Sequence, residues 1–140
     1  MHSRAAAPVE SVPILPGFAA LADRYDGYIL DLWGTIHDGI RAWPGAVECL
    51  AELKRRNKRI LVLSNAPRRS YLAIARMDEM GIPHTGYDDV LTSGEAAHDA
   101  LVKRDDAWHR RLGRRCHLLG PAKDDSVLED VAHERVDDLA

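Results

Sequence analysis

The sequence predicts an α/β fold whose sheet is mostly parallel. Short apolar runs, of the kind seen in strands covered on both faces, alternate with segments of helical periodicity. Each connection is long enough to hold a crossover helix, which parallel neighbours require. The predicted strands occupy residues 28–32, 59–64, 89–92 and 115–119.

The chain begins with an extended lead-in, residues 1–24, which is rich in Ala and Pro and lacks periodicity. Its prolines interrupt regular structure, so only one short helix is expected, over 18–24. The first strand, YILDL at 28–32, follows, and a loop with two glycines then extends to residue 43.

Two amphipathic helices connect the first three strands. Pro44 suits the first turn of the first helix, which ends on a run of cations at 54–58 that suits a helix C-terminus. The second helix is expected over 68–80, because its apolar residues repeat at helical spacing until Gly81 stops it. Its predicted core residues are Ala73, Ile74, Met77 and Met80.

The third helix begins with the sequence Thr92-Ser93-Gly94-Glu95, which is typical of a capping box. In that motif Thr92 caps the helix and Glu95 reaches back to the cap. A polar loop is expected over 103–113 and a fourth strand at 115–119, and the tail from residue 123 has a loose helical pattern.

The composition is that of an ordinary folded domain. The 140 residues are 46% hydrophobic and 29% charged, with a net charge of −3, which favours neither nucleic acid nor membrane as a partner. The basic runs at 54–59 and 110–115 are interpreted as a solvated helix end and a surface loop. Cys49 is expected to be a buried, inert thiol, no zinc spacing is present, and the predicted location is cytoplasmic.

Polar residues follow the first three predicted strands. Asp31 ends the first, Ser64 and Asn65 end the second, and Thr92 and Ser93 end the third. Since ligands bind beyond the carboxyl ends of parallel strands, these side chains are expected to meet at one edge of the sheet.

These segments resemble motifs of the haloacid dehalogenase superfamily. YILDLWGTIHDG at 28–39 is similar to motif one, an apolar strand followed by D-x-D-G-T/V, and LVLSN at 61–65 is similar to motif two. WPGAVECLAELK, LSNAPR and VLTSGEAA narrow the resemblance to subclass IIA, the nitrophenylphosphatase and NagD-like branch, and the subgroup that reads D-L-W-G. The resemblance implies a Rossmann-like parallel core and a phosphatase that acts on a small phosphorylated metabolite.

The same resemblance implies the roles of individual residues. Asp31 would be the nucleophile that forms an aspartyl-phosphate. Mg²⁺ would be held by the Asp31 carboxylate and by the backbone carbonyl of Trp33. Ser64, Asn65, Gly34 and Thr35 would bind the phosphate, together with N–H groups at the positive end of the next helix, and Gly34-Thr35 would also shape the turn.

Trp33 departs from the family pattern, which has a second Asp as general acid and base at that position. The indole N–H is only a donor, and the loss of such a group costs typically 10²–10⁴-fold in rate. His37 and Asp38 are candidate substitutes, but both are interpreted as solvated loop residues. Relatives that cleave carbon–halogen or carbon–phosphorus bonds also lack this Asp, so hydrolysis stays the expectation.

The resemblance also implies that the chain is an N-terminal part. The family places a motif-three Lys and a motif-four acidic pair behind an inserted cap, and neither setting occurs here. Residues 25–112 are expected to form the first half of the core and 113–140 the start of a C2-type cap, with the first strand as an exposed edge. We expect little or no activity and marginal stability of this chain alone, with a missing C-terminal half or a homo-oligomer as the candidate partners.

Two functional hypotheses follow. The first is a hydrolase, incomplete as this chain. The alternative is a phosphate-binding pseudoenzyme or a hydrolase that is not a phosphatase, since motif one lacks its second Asp.

Overall fold

The computed structural model describes residues 12–137, and its main sheet and helices confirm the α/β fold class. The first eleven residues of the predicted lead-in lie outside the described part. The strands and α-helices are β1 (Gly27–Asp31), α1 (Ala46–Arg55), β2 (Arg59–Ser64), α2 (Ser70–Glu79), β3 (Asp89–Thr92), α3 (Ser93–Lys103), β4 (Arg115–Cys116) and β5 (Glu134–Arg135). Single 3₁₀ segments lie at Phe18–Ala20, His84–Gly86, His109–Arg111 and Ala122–Leu128.

The main sheet has three parallel strands in the order β1-β2-β3. The register aligns Leu30 with Val62 and Val62 with Val90, so one apolar row crosses the sheet. Both connections in this sheet pass through a helix, as the sequence predicts. Within the described residues β1 is an edge strand, which also agrees with the prediction.

One face of this sheet carries the hydrophobic core. Leu50 and Leu53 of α1 and Met77 of α2 are almost completely buried with Ile60 and Val62 of β2. Helical spacing places these helix residues on one side of each helix, which explains why the predicted apolar faces are found in the core.

The opposite face departs from the prediction of strands covered on both sides. Ile29, Leu63 and Leu91 point to that face and are 67%, 43% and 38% exposed, respectively. The apolar runs predicted double coverage because side-chain character alone does not say which face a helix covers. In residues 12–137 the helices that bury the core all lie on one side.

The ends of the helices differ from the prediction in detail. α1 begins at Ala46 rather than at Pro44, and Gly45, with a φ of 81°, occupies the cap position. Only a residue that tolerates positive φ fits there, so Pro44 precedes the cap instead of filling the first turn. α2 ends before Gly81, whose φ is 76°, as the predicted stop requires.

The tail folds differently from the predicted fourth strand and helix. β4 has two residues instead of five and pairs in parallel with β5 in a separate two-stranded sheet. A 3₁₀ segment over Ala122–Leu128 replaces the loose helix and lies against α3, where His98 Nδ1 is 3.1 Å from the Val127 carbonyl oxygen. The partner strand β5 also has only two residues, so β4 has no further strand backbone to pair with.

Part of the first basic run is neutralised by neighbouring acids. Arg55 and Arg56 both bind Glu52, and Arg56 also binds Asp23. These hydrogen bonds lower the pKa of Glu52 to about 2. Across residues 12–137, every helix is too short or too polar to span a bilayer.

Candidate active site

Asp31 lies where the sequence places it, at the carboxyl end of β1. It is the last residue of the strand and is exposed, while the next residue, Leu32, is buried and draws the chain into the following turn. A cleft of ≈ 560 Å³, here called the Asp31 cleft, brings Asp31 together with Ser64 and Asn65. Ser93 and Thr92 also line it, so the predicted convergence at one sheet edge is found.

Ser64 connects two clefts. Its side chain is buried with 6% exposure, and its hydroxyl oxygen accepts a hydrogen bond from the Ala66 N–H at 3.3 Å. It lines the Asp31 cleft and also a neighbouring cleft of ≈ 370 Å³, here called the Trp33 cleft. Because its oxygen is used as an acceptor, the hydroxyl proton is available to a ligand.

The turn after Asp31 is closed by backbone bonds. The Gly34 N–H donates to the His37 carbonyl at 2.7 Å, and the His37 N–H donates to the Leu32 carbonyl at 3.2 Å. Gly34 has a φ of 82°, which explains a glycine at this position. Gly34 and Thr35 are exposed, and neither lines the Asp31 cleft or the Trp33 cleft.

Trp33 presents its side chain to solvent and to the second cleft. The residue is 68% exposed. Its indole packs over Gly39, where an added β-carbon would lie 3.0 Å from the indole Nε1. The loop after β1, residues 32–43, is here called the flap. Arg76 of α2 fixes this part of the flap by donating to the Gly39 carbonyl at 3.0 Å. Trp33 therefore forms a wall of the cleft rather than part of the core.

Asp38 is a turn residue. Its Oδ1 accepts the N–H groups of Ile40 and Arg41, both at 2.8 Å, and these bonds hold the pKa of the carboxyl below its usual range. A carboxylate stabilised in this way is a poor proton donor at neutral pH. Asp38 therefore does not replace the missing general acid.

His37 is buried, which corrects its interpretation as a solvated residue. It is 6% exposed and lines the Trp33 cleft, and its Nδ1 accepts the Gly39 N–H at 2.9 Å. Burial lowers the pKa of His37, so the ring is neutral at pH 7 and carries its proton on Nε2. A neutral imidazole of this kind can accept a proton but is not an acid at pH 7.

The loop between β2 and α2, residues 65–69, is fixed by residues at the end of β3 and the start of α3. The Ser93 hydroxyl donates to the carbonyls of Asn65 and Ala66, and the Gly94 N–H donates to the Ala66 carbonyl at 3.1 Å. The Thr92 hydroxyl donates to the Arg68 carbonyl at 2.5 Å. Thr92 is fully buried, so it positions the loop and is not itself open to a ligand.

The capping box is only half formed. The Glu95 N–H donates to Thr92 Oγ1 at 3.0 Å, as predicted, but the Thr92 N–H donates to Ser70 Oγ instead of to Glu95. The Glu95 carboxylate accepts the Ser70 N–H at 2.8 Å and binds the Arg69 side chain at 2.9 Å. Glu95 therefore caps α2, because that helix start has no capping side chain of its own.

These contacts correct the prediction that the start of α2 offers N–H groups to a phosphate. Ser70 N–H is occupied by Glu95, and Arg69 N–H donates to the Ser126 hydroxyl at 3.2 Å. A carboxylate at this helix end already uses the positive potential that an anion would need.

We expect Glu95→Gln to lower the free energy of unfolding by about 1.5 kcal/mol at pH 7, since it weakens a charge-assisted cap. The Arg69 hydrogen bond, followed by the Ser70 N–H, lowers the pKa of Glu95 below 4.5. The stabilisation is thus complete above the unfolded pKa of about 4.3 and is lost as the pH falls through the lower folded pKa. Urea denaturation between pH 7 and pH 3 measures this.

The control for this experiment is Glu48→Gln, which changes an exposed glutamate in the first turn of α1. Its unfolding free energy should stay within about 0.5 kcal/mol of the wild type. A difference between Glu95→Gln and the wild type that persists at pH 3 would contradict the capping role.

Three cationic residues of the Trp33 cleft were missed by the sequence interpretation. They line it beside Trp33 and Ser64 and are Arg68, Arg76 and Lys123. Arg68 was assigned to the start of a helix and Lys123 to a distant tail. The repeated Arg after Pro67 is a weak signal, and nothing local in the sequence indicates that the tail returns to this edge.

Comparison with known proteins agrees with the fold and the motifs. A family model described as haloacid dehalogenase-like hydrolase matches residues 28–134. The range runs from the second residue of β1 to the first residue of β5 and includes the loop between β2 and α2. It confirms the superfamily that motif one and motif two indicate.

Similar solved structures and a characterised relative are enzymes. A hydrolase of the haloacid dehalogenase-like family from Brucella suis 1330 has a TM-score of 0.75 and 26% identity over 89% of this chain and 43% of its own. A 4-nitrophenylphosphatase from Thermotoga maritima has a TM-score of 0.59 and 27% identity over 81% of this chain and 41% of its own. D-glycerol 3-phosphate phosphatase of Mycobacterium tuberculosis is 33% identical over 79 residues, 56% of this chain and 22% of that protein. The chain thus spans less than half the length of each.

Proposed function

Because the chain belongs to the haloacid dehalogenase-like hydrolase family, we propose that its protein hydrolyses the phosphate ester of a small metabolite in the Asp31 cleft. The observation that carries the proposal is the exposed Asp31 carboxylate, which shares one cleft with Ser64 and Asn65. A nucleophilic carboxylate beside hydrogen-bonding groups is the arrangement that phosphoryl transfer needs.

In the proposed reaction an oxygen of Asp31 attacks phosphorus, and the bond from phosphorus to the alcohol oxygen breaks. The leaving oxygen keeps the bonding electron pair and gains a proton. Water then attacks the phosphorus of the aspartyl-phosphate, so that inorganic phosphate and a proton leave and Asp31 is a free carboxylate again. The Ser64 hydroxyl donates to a phosphoryl oxygen, because its own oxygen already accepts the Ala66 N–H.

The proposed metal is Mg²⁺, which would neutralise charge on the transferring phosphoryl group. The residues that would hold it are Asp31, through its carboxylate, and Trp33, through its backbone carbonyl. Both donors are oxygens, which Mg²⁺ prefers, and the loop bonds at this turn use the Leu32 and His37 carbonyls rather than that of Trp33. Within residues 12–137 no cluster of three or more acidic, His or Cys side chains could hold a metal ion.

The protonation of the leaving group is the weak step in this proposal. Trp33 occupies the position of the usual acid. The Asp38 carboxylate accepts the Ile40 and Arg41 N–H groups of its turn. Neutral His37 lines the neighbouring cleft and is a base rather than an acid at pH 7, so the leaving oxygen takes its proton from water. We therefore propose low turnover for this chain.

The second candidate is a phosphate-binding pseudoenzyme, and the specific observation that favours it is the side chain of Trp33. Its exposed indole lines the Trp33 cleft at the acid's position and cannot transfer a proton. A hydrolase with a leaving group that needs no proton, such as halide, fits the same observation.

The experiment measures phosphate release by the purified chain from 4-nitrophenyl phosphate, D-glycerol 3-phosphate and a wider ester panel, with and without Mg²⁺. We expect slow, Mg²⁺-dependent release that Asp31→Asn abolishes. Asp26→Asn, which changes an exposed acid just before β1, is the matched control and should leave the rate unchanged. Equal rates for Asp31→Asn and the wild type would refute the phosphatase, and phosphate binding without turnover would favour the pseudoenzyme.

A further inference from the structure

The Trp33 cleft is rich in positive charge. Arg68, Arg76 and Lys123 line it, and among the described residues no carboxylate does. Arg76 is already engaged, since it binds Glu79 at 2.5 Å and the Gly39 carbonyl at 3.0 Å. Arg68 is paired through Nη2 with Asp124 at 3.3 Å, which leaves its other guanidinium N–H groups and Lys123 for a ligand.

Arg68 has unused donor capacity inside the protein. Its Nη2 forms an ion pair with Asp124 Oδ1 at 3.3 Å, while its Nε is buried without a hydrogen-bond partner in residues 12–137. A buried donor without a partner is costly, so such a group indicates a missing acceptor. A guanidinium next to a cleft is suited to an anionic acceptor.

Lys123 reaches the cleft because the tail folds back on the loop between β2 and α2. The 3₁₀ segment that contains it is fixed by the bond from the Arg69 N–H to the Ser126 hydroxyl, at 3.2 Å. Lys123 itself is exposed and, within the described part of the chain, forms no ion pair. A solvated ammonium held near a cleft by its backbone is available to an incoming anion.

We infer that the Trp33 cleft binds a second acidic group of the substrate, through Arg68 and Lys123. The substrate class is a small phosphate ester that also carries a carboxylate or a second phosphate. Ser64 lines both clefts, so the two sites share one wall, and the inference requires a substrate that reaches across it. The inference rests on the proposed function for the phosphoryl group, but the affinity of the Trp33 cleft for an acid is measurable separately.

The test is calorimetric titration of the purified chain with phosphoglycolate, ethyl phosphate, ethylene glycol bisphosphate, inorganic phosphate and malonate. We expect phosphoglycolate or the bisphosphate to bind on the order of tenfold more tightly than ethyl phosphate, because the second acid gains charge-assisted hydrogen bonds. Which of the two binds better tells carboxylate from phosphate. Lys123→Gln should bring the ratio of these affinities, that of the diacid to that of ethyl phosphate, near one. It should also weaken malonate binding.

Lys103→Gln is the matched control, because Lys103 lies in the last turn of α3 and is paired with Asp99. It should leave both the ratio and malonate binding unchanged. A ratio of one in the wild type, or a ratio unaffected by Lys123→Gln, overturns the inference and leaves the phosphatase proposal intact if inorganic phosphate binds. Failure of inorganic phosphate and ethyl phosphate to bind, with Lys123-dependent malonate binding, overturns the phosphatase proposal and keeps the acid site.

Discussion

Trp33→Asp is expected to raise the rate of phosphate release 10²–10⁴-fold, the usual contribution of a general acid. The change puts a carboxylate where the family has one, two residues after Asp31. Trp33 is 68% exposed, so its removal costs little packing. The introduced carboxylate would protonate the leaving oxygen and later take a proton from water. Steady-state phosphate release at saturating Mg²⁺, over a pH series, measures the gain.

The matched variant is Trp33→Asn, because the asparagine side chain has the shape of aspartate but no titratable group. It should show no gain, and Trp43→Asp, a second partly exposed tryptophan in the flap, should show none either. If Trp33→Asp is no faster than Trp33→Asn, a missing acid is not what limits this chain, and the pseudoenzyme becomes the better account.

Gly94→Ala is expected to destabilise the protein by about 3 kcal/mol, near the upper end for overpacking. A β-carbon at Gly94 would lie 2.4 Å from the Arg68 backbone nitrogen and 2.5 Å from its carbonyl carbon. The neighbour is backbone that the bonds from Ser93 and Thr92 hold in place, so it cannot yield cheaply. Alanine in a helix gains at most about 1 kcal/mol over glycine, and the clash therefore decides the sign.

Urea denaturation of Gly94→Ala measures this cost, and titration with inorganic phosphate reports the position of the loop. We expect weaker phosphate binding, because the loop that is displaced follows Ser64 and Asn65. Gly113→Ala is the control, since a β-carbon there would meet nothing within 4 Å. A Gly94→Ala protein as stable as the wild type would show that the loop relaxes freely. That result would contradict the role of the Ser93 and Thr92 hydrogen bonds in holding the loop.

The first three strands were predictable because each is a short apolar run flanked by residues that favour turns and loops. The predicted bounds of β2 and β3 agree with the structure, and β1 begins and ends one residue earlier. The positions of Asp31 and Ser64 were predicted with the same accuracy, since each is the last residue of its strand. Gly81 likewise stopped α2 where its positive φ is needed.

The tail and the capping contacts were not predictable in the same way. Residues 115–119 read RCHLL and were predicted as one strand, but β4 has two residues and pairs with β5, beyond the intervening 3₁₀ segment. Glu95 fits a local motif but binds Ser70, twenty-five residues earlier in the chain. In the sequence His37 is one polar loop residue among others, and its burial becomes evident only in the folded flap.

The sequence by itself determined the order of strands and helices, the edge of the sheet at which Asp31 lies, and the absence of an acid at Trp33. These features depend on side-chain type and spacing along a single segment. Only the tertiary structure decided that Glu95 caps another helix, that one sheet face stays open, and that Lys123 joins the Trp33 cleft. Such features depend on which distant segments meet, and local periodicity carries no information about that.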